Sequence, residues 1–504
     1  MERHVSVCVR RLRGIFLCKG ALKHLLLAVG LLLSAFSSSA SAAEPKRPLN
    51  VVFIAVDDLR PQLHCYGREE MATPNLDQLA AEGRMFRRHY VQVPTCGASR
   101  CALLTGRYPS HLRGYGNDAF ALLPRNEAGA VVTLPGLFKR NGYRTVSIGK
   151  ITHSPDGMNP DGQVEAPFTW DEVGVPAGKW KTGWDAFFAY ADGSTRIPGK
   201  TPATERADVP DDGYPDALIA DAAIAKLGEL KNKPFFLAVG FFKPHLPFNA
   251  PAKYWDLYDP DRLPAPANPK PPQNVDPAIS LHKSGEMTPR YTGLKEPGIV
   301  SAEEARNLRH AYSACVSYVD AQIGRVLDEL DRLGLSDNTI VVLWGDHGWH
   351  LGEHGVWGKH TLHDVALRSP LIVRAPSMSA PGEATDALVE AVDIYPTLAE
   401  LFHLQPPGEL AGKSFAAALN DPASPGKEAA IGFWADGRAH SILTPRYRLT
   451  QWTERSNPSQ IAQVELYDHQ VDPDETRNIA ADEPEMARRL GAELQRHVPL
   501  LRDR

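Results

Sequence analysis

Three apolar runs in the sequence end in side chains that bind cations or anions. Each run is rich in β-branched or aromatic residues, which is typical of a strand buried on both faces of a parallel sheet. The carboxyl ends of such strands meet at one edge of an open α/β sheet, where ligands bind. The runs and the residues that follow them are Asn50–Val56 with Asp57-Asp58, Pro234–Phe242 with Lys243-Pro-His245, and Thr339–Trp344 with Asp346-His347.

These strand ends predict a metal site. Asp57 and Asp58 alone would be interpreted as a polar cap where a strand meets a loop. The pair Asp346-His347 at the end of a second strand reverses that interpretation. Carboxylates and an imidazole from separate chain segments are suited to hold a divalent cation.

A cysteine stands at the start of a predicted helix. The segment Cys96–Arg100 precedes an apolar block that ends near Gly106, so Cys96 is expected at an exposed helix N-terminus. Amide groups and the helix dipole favour anions there. Because Arg100 follows about one turn later, Cys96 is a candidate nucleophile. The alternative is a buried structural cysteine beside a surface arginine.

Five histidines between Asp346 and Asp364 raise the alternative of a two-zinc phosphatase site. His350 and His354 stand among glycines, which predicts a loop and not a regular helix. Packing or substrate contacts are therefore the favoured interpretation for most of them. The five are His347, His350, His354, His360 and His363.

The elements that position these residues alternate between strands and helices. This order predicts an α/β fold with a large, mostly parallel sheet flanked by helices on both faces. The proline-rich span 259–298 has no period and predicts a long ordered excursion near the site. From about Ala429, short apolar runs predict a smaller C-terminal subdomain with antiparallel strands. Other predicted elements are helices at 74–83, 219–230, 303–333 and 484–497, and strands at 144–148 and 368–374.

The composition is that of a globular protein, with 504 residues, 43% hydrophobic and 23% charged, and a formal net charge of −5. It excludes collagen-like, coiled-coil and wholly disordered chains. Basic side chains are concentrated before residue 43, so the remainder is more acidic, which argues against nucleic-acid or anionic-membrane binding. Cys65, Cys101 and Cys315 are predicted to be small buried hydrophobes, since so few cysteines make no disulfide framework.

Residues 1–42 have the pattern of a secretory signal peptide. Basic side chains precede the apolar run Leu25–Phe36, and Ala40-Ser-Ala42 fits a cleavage site. The run is shorter than the roughly 18 residues of a membrane-spanning helix, although an uncleaved anchor is the alternative. The mature chain is predicted to be periplasmic or secreted, without a membrane anchor. The predicted domains are 1–42 (signal), 48–428 (catalytic) and 429–504 (C-terminal subdomain).

Together these motifs resemble the type I sulfatase family, and most of all its iduronate-2-sulfatase group. The family signature is C-x-P-x-R followed by L-T-G-R; here Cys96–Arg100 precedes Leu104–Arg107. Asp346-His347, where many sulfatases have Asp-Asn, favours that group. The resemblance covers about residues 48–480, in order. Further matching segments are Asp57-Asp58, Gly149-Lys150-Ile-Thr-His153, Lys243-Pro-His245, Asp346-His-Gly348, Gly358-Lys359, Glu465-Leu-Tyr-Asp468 and Asp472-Pro-Asp-Glu475.

The resemblance implies an alkaline-phosphatase-like sandwich that hydrolyses sulfate esters. It implies that Cys96 is oxidised to formylglycine, whose hydrate, activated by Ca²⁺ and a base, attacks sulfur and later expels sulfate. The implied roles are one Ca²⁺ on Asp57, Asp58, Asp346, His347 and the modified Cys96; Arg100 and Lys150 on the hydrate and sulfate oxygens; His153 in the elimination; and His245 and Lys359 on sulfate and the leaving oxygen.

Two positions depart from the family pattern. Ala98 stands where proline is commonest. Because part of the family tolerates a small residue there, conversion by a formylglycine-generating or equivalent maturation enzyme is still expected. His347 offers nitrogen to a metal that prefers oxygen, which leaves the identity of the metal open.

The implied substrate is a sulfated carbohydrate, such as a 2-O-sulfated uronate. A pocket with Arg100, Lys150, Lys243 and Lys359 in an acidic chain predicts a small dianionic substrate end and exo action. Phosphate- or phosphonate-ester hydrolysis is a second possible function, for which a serine or threonine nucleophile would be expected. A third is a non-catalytic protein that binds sulfated glycans with Cys96 unconverted.

Overall fold

An eight-stranded sheet forms the centre of the protein. The computed structural model describes residues 48–109, 112–126, 129–159, 161–292 and 300–497. Within them the strand order is β8-β2-β7-β6-β1-β5-β3-β4. The strands are β1 (Asn50–Val56), β2 (Arg84–Tyr90), β3 (Arg144–Gly149), β4 (Glu172–Gly174), β5 (Phe235–Phe241), β6 (Thr339–Gly345), β7 (Leu371–Arg374) and β8 (Thr385–Glu390).

The predicted parallel pairing is confirmed at the centre of the sheet, where β1 runs parallel to both β5 and β6. One predicted strand differs in length and direction. The run 368–374 forms only β7, which is antiparallel to β2 and β6. Pro370 precedes β7 and has no N–H for a sheet hydrogen bond, so the strand begins after it.

Helices cover both faces of the sheet, as predicted. In β1, Val52 and Ile54 belong to one apolar core, whereas Val51 and Phe53 belong to the other. The longer helices are α1 (Pro74–Glu82), α2 (Cys96–Thr105), α3 (Leu134–Arg140), α4 (Pro215–Leu230), α5 (Ala302–Arg332), α6 (Ile394–Leu401) and α7 (Pro484–His497). The shorter ones are Gly183–Phe187, Ala252–Trp255, Pro277–Ser280, Asp364–Leu367 and Ala416–Asn420.

The long helix α5 fixes the loop that follows β1. It begins with a capping box at Ser301 and Glu304, which satisfies amide groups of its first turn. Tyr312, which is fully buried, donates its hydroxyl hydrogen to the carbonyl of Asp58 at 2.8 Å. The same hydroxyl accepts the N–H of Arg60 at 3.1 Å. Helix α5 therefore holds the backbone of a predicted metal ligand.

The C-terminal part contains an antiparallel meander, as predicted. Its strands are β9 (Ala430–Trp434), β10 (Ala439–Leu443), β11 (Tyr447–Thr453) and β12 (Ile461–Asp468). Leu490 and Leu494 of α7 pack on this sheet. The described residues from Pro48 onward belong to one compact unit. The predicted boundary at 428/429 stays a prediction.

The proline-rich excursion packs against the predicted site. It has one short helix, Pro277–Ser280, in its described part. His282 Nε2 donates to the carbonyl of Lys359, and Ser284 Oγ accepts the N–H of Trp357. The remaining strands are the pairs Thr204–Ala207 with Phe248–Pro251, and His350–Leu351 with Trp357–Gly358.

The predicted signal peptide lies outside the described residues. Of the helices in the part that the structure describes, none combines the length and apolar character needed to cross a membrane.

Candidate active site

Side chains with metal-binding atoms come together from three parts of the chain. Asp57 follows β1, Asp346 and His347 follow β6, and Cys96 begins α2; all four are buried. One ligand atom of each lies within 4.8 Å of those of the others. Asp58 Oδ1 lies 3.4 Å from His347 Nε2. The structure thus brings together the five predicted metal ligands, which we call the carboxylate cluster.

The guanidinium of Arg100 cross-links this cluster. Its Nε donates to Asp346 Oδ2 at 2.9 Å, and its Nη2 donates to Asp57 Oδ1 at 3.3 Å. Its Nη1 donates to the backbone carbonyls of Lys150 and Ile151. Because protein groups occupy these donors, Arg100 holds the ends of β1, β3 and β6 together. Its contact with sulfate stays a prediction.

Two buried lysines lie on the carboxylates. Lys150 Nζ is 2.6 Å from Asp57 Oδ2. Lys359 Nζ is 2.8 Å from Asp58 Oδ1 and 3.2 Å from Cys96 Sγ. The structure therefore places both predicted sulfate-binding lysines at the cluster, and Lys359 directly beside the predicted nucleophile position.

Two histidines present Nε2 to the cluster. His347 Nδ1 donates to the carbonyl of Gly348 at 3.0 Å, so its Nε2 carries the lone pair, 3.3 Å from Cys96 Sγ. His245 Nδ1 donates to the carbonyl of Leu246 at 2.6 Å, and its Nε2 lies 3.8 Å from Asp58 Oδ2. Burial and then the charge of Lys359 lower the pKa of both histidines well below the usual range. A neutral imidazole is the form that binds a metal or accepts a proton.

The cluster fits a divalent cation. Asp58 Oδ2 is buried and has no hydrogen-bond partner in the part of the chain that the structure describes. Burial, followed by the charge of Asp57, raises the pKa of Asp346 to about 7. Burial also raises the pKa of Asp58 well above its usual value. A bound cation would relieve this crowding of negative charge, and carboxylate oxygens are the ligands that Ca²⁺ and Mg²⁺ prefer.

The prediction that Cys96 is exposed is wrong, since only 2% of the residue is accessible. Asn117 covers the start of α2, where its Oδ1 accepts the N–H of Gly97 at 3.0 Å. The amide group expected to face an anion is therefore already bonded. Burial raises the pKa of the Cys96 thiol well above its usual value, which disfavours a thiolate nucleophile.

His153 lies half-buried next to the cluster. Its ring packs edge-on against Trp184, with 5.6 Å between the centroids. Glu165 accepts the N–H of Ser154 at 2.7 Å and its hydroxyl hydrogen at 2.9 Å, which fixes the loop after Lys150. Burial lowers the pKa of His153 to about 3. Sequence analysis missed Trp184 and Glu165 because a five-residue helix and a loop are too short to form a periodic pattern.

The structure corrects the predicted role of Lys243. Its buried ammonium group donates to the backbone carbonyls of His245 and Pro247 and so shapes the loop after β5. Asp216, in the first turn of α4, accepts the N–H groups of Phe242 and Lys243 at 2.7 and 3.1 Å. The ammonium group of Lys243 is therefore bonded within the loop and does not face the pocket as a free donor, while its charge acts on Asp57 and Asp58.

The other histidines of the loop after β6 bond to protein groups. His350 Nε2 lies 2.8 Å from Thr361 Oγ1, and His363 Nδ1 lies 2.9 Å from Glu475 Oε2. His354 Nε2 lies 3.0 Å from the side-chain nitrogen of Asn268. Among the described residues, these three make no metal-ligand group. The packing interpretation is supported, and the two-zinc alternative is not.

Gly240 allows β3 and β5 to approach closely behind Lys150. A Cβ on Gly240 would lie 2.1 Å from the carbonyl oxygen of Lys150. We expect Gly240→Ala to cost about 2 kcal/mol or more, because backbone must move, and to lower activity by displacing Lys150. Urea unfolding of both proteins measures the difference.

The matched control is Gly228→Ala in α4, where an added Cβ meets no atom within 4 Å. Alanine is favoured over glycine inside a helix by about 1 kcal/mol, so this variant should be as stable as the parent or more so. Equal stability of Gly240→Ala and the parent would contradict the close-approach argument.

Comparison with known proteins shows that this chain is similar to sulfatases. The sulfatase family model matches residues 49–404, and the model for the C-terminal region of N-sulphoglucosamine sulphohydrolase matches residues 352–503. Iduronate 2-sulfatase of Homo sapiens is 34% identical over 426 residues, covering 77% of this chain and 76% of that protein. A sulfatase of Formosa agariphila is 32% identical over 453 residues, covering 86% and 83%.

A solved structure shares the architecture. The phosphonate monoester hydrolase of Agrobacterium radiobacter aligns with a TM-score of 0.74 and 25% identity, covering 90% of this chain and 96% of that one. Fold and site define a hydrolase with the alkaline-phosphatase-like α/β architecture. Within that class the chain belongs to the sulfatase family. It is a sulfuric ester hydrolase, so the non-catalytic alternative is not supported.

Proposed function

We propose that this sulfatase removes sulfate from a sulfated carbohydrate, with a 2-O-sulfated uronate as the preferred class. It uses formylglycine made from Cys96 and one Ca²⁺. The observation that carries the proposal is the position of Cys96, whose Sγ lies 3.2 Å from Lys359 Nζ and 3.3 Å from His347 Nε2. The similarity to the iduronate 2-sulfatase of Homo sapiens supports the choice of sugar.

The chain's own residues suit this chemistry. The modified Cys96 would supply an aldehyde hydrate as nucleophile, and Ca²⁺ held by the carboxylate cluster would supply positive charge. Lys150 and Lys359 provide positive charge where the sulfate anion would bind. Fixed cations in a site that excludes water stabilise an anionic transition state. His245 and His153, whose pKa values burial lowers, would exchange a proton with the leaving or hydrate oxygen.

Phosphonate-ester hydrolysis is the second candidate, because two phosphonate monoester hydrolases share the fold and are 26% and 25% identical to this chain in sequence. Comparing kcat/KM for an aryl sulfate and an aryl phosphonate separates the two. A higher value for the phosphonate would favour the second candidate.

We further propose that residues 1–42 direct export and that a formylglycine-generating or equivalent enzyme converts Cys96. The tryptic peptide His89–Arg100 contains this position. Its mass distinguishes a thiol from an aldehyde after expression with a maturation enzyme. A peptide that carries only cysteine in a fully active preparation would overturn the formylglycine mechanism.

Exo action on a terminal sugar is expected. The excursion residues His282 and Ser284 bond next to Lys359 and wall the site on one side. We expect faster desulfation of a 2-O-sulfated uronate disaccharide than of an intact sulfated polymer or an aryl sulfate, measured by sulfate release. Rapid reaction within the polymer interior would contradict exo action, and a preference for the aryl sulfate would remove the case for uronates.

A further inference from the structure

The excursion brings a carboxylate to the predicted sulfate-binding lysine. Glu286 Oε1 lies 3.4 Å from Lys359 Nζ. The surrounding segment is well anchored: His282 and Ser284 bond to the backbone beside Lys359, and Met287 is buried. Glu286 is thus held at the site by tertiary contacts and is not a freely moving surface side chain.

The second oxygen of this carboxylate is unused. Glu286 Oε2 is buried and has no hydrogen-bond partner among the described residues. An ideal Cβ on Gly358 would come within 3.8 Å of this oxygen and 3.2 Å of the His282 ring. A side chain at Gly358 would therefore press on His282 and contact Glu286 Oε2, so the glycine leaves this oxygen uncovered.

The charge of Glu286 is maintained by its surroundings. Burial raises the pKa of this carboxyl, but the nearby positive charge of Lys359 outweighs that effect and lowers it. An ionised, buried oxygen without a donor is costly unless a ligand supplies one. An ionised sulfate or carboxylate group has no hydrogen to donate, so the missing partner is an O–H or N–H group, which on a sulfated sugar is a hydroxyl.

We propose that Glu286 is a specificity-determining residue whose Oε2 accepts a hydrogen bond from a sugar hydroxyl next to the sulfated carbon. The inference rests on the proposed function and deepens it. Lys359 neutralises the charge of the ester sulfate. Glu286 accepts the hydrogen bond of the neighbouring hydroxyl and repels a second anionic group at that position. A substrate carboxylate must therefore bind elsewhere in the site.

Two simpler roles predict different results. If Glu286 only positions Lys359, its loss weakens every ligand that contains sulfate. If it only repels anions, its loss strengthens every such ligand. Contact with a sugar hydroxyl predicts that loss of Glu286 impairs the sugar substrate without weakening the binding of free sulfate.

The experiment compares Glu286→Ala and Glu286→Gln with the parent, all carrying the converted residue 96. The readouts are kcat/KM for a 2-O-sulfated uronate disaccharide and competitive inhibition by inorganic sulfate. We expect Glu286→Ala to lower kcat/KM roughly 10- to 100-fold, as for a hydrogen bond to a charged group. Its inhibition constant for sulfate should stay equal or fall. Glu286→Gln keeps an acceptor oxygen and should recover part of the loss.

A substrate lacking the hydroxyl next to the sulfate ester identifies the contact directly. The parent should lose activity toward it, whereas Glu286→Ala should lose no more. The control is Asp261→Asn on the same excursion, where an exposed carboxylate pairs with Arg306, and it should change neither readout.

Several outcomes would overturn the inference. Parallel weakening of sulfate and sugar would assign Glu286 to positioning Lys359, and parallel strengthening would assign it to repulsion. Unchanged kcat/KM in Glu286→Ala would exclude the contact while leaving the proposed function intact. A parent enzyme that desulfates no sugar would instead refute the proposed substrate class and this inference with it.

Discussion

Cys96→Ala is expected to lose sulfate-ester hydrolysis by a factor of about 10⁵ or more, as does removal of the nucleophile in other hydrolases that use a covalent intermediate. The buried thiol lies against Lys359 and His347, where the proposed nucleophile would form. The free energy of unfolding should change by only about 1 kcal/mol, because the substitution by alanine removes a single sulfur atom. Initial rates on an aryl sulfate and on a sulfated disaccharide measure the loss.

Cys101→Ala is the matched control, since Cys101 lies one turn and a half later on the same helix and its thiol packs among apolar residues. It should keep its rate and lose similar stability. The four described cysteines are all free, so neither substitution breaks a disulfide. Activity retained in Cys96→Ala would refute the mechanism, whereas activity lost in both variants would indicate damage to the helix.

Much of the central sheet was predictable because its strands are buried on both faces. The runs that form β1, β5 and β6 contain almost only apolar residues, and their predicted limits agree with the structure to within one residue. Strand β2 was missed because three arginines and a histidine make Arg84–Tyr90 look exposed. In fact Arg84 is buried and donates to backbone carbonyls, including those of Ala418 and Leu419. A sequence pattern does not show that carbonyls far away in the sequence will accept the hydrogen bonds of a buried arginine.

The site residues also divide into those that regular elements position and those that only tertiary contacts position. The predicted cation ligands of the carboxylate cluster follow strands or begin a helix, so the position of the elements predicts their convergence. Asn117, Glu165 and Glu286 come from irregular segments without a period, and only their contacts show what they do. The burial of Cys96 and the inward bonding of Lys243 likewise depend on loop contacts. Local sequence therefore predicted which side chains come together, and loop packing determined which of them are already bonded to protein groups.

Asp57→Asn and Asp346→Asn are expected to lower kcat about 100-fold or more and to abolish stoichiometric Ca²⁺ binding. Each replaces a charged oxygen ligand in a buried group whose ligand atoms lie within 4.8 Å. The amide removes negative charge that the cation requires, and it also weakens the bonds from Arg100. The measurements are metal content per chain after dialysis and thermal unfolding with Ca²⁺ or a chelator, because a ligand bound only by the folded state raises stability.

Asp393→Asn is the matched control, because this buried carboxylate also pairs with a lysine, Lys427, at 2.5 Å but belongs to no metal-ligand group in the described residues. It should lose stability and keep its Ca²⁺, whereas the cluster variants should lose the stabilisation that Ca²⁺ adds. Two zinc ions per chain in the parent would support a phosphatase site instead. Full Ca²⁺ occupancy in Asp57→Asn would show that the cation binds elsewhere, because a buried site that needs three carboxylates cannot lose one charge without losing affinity.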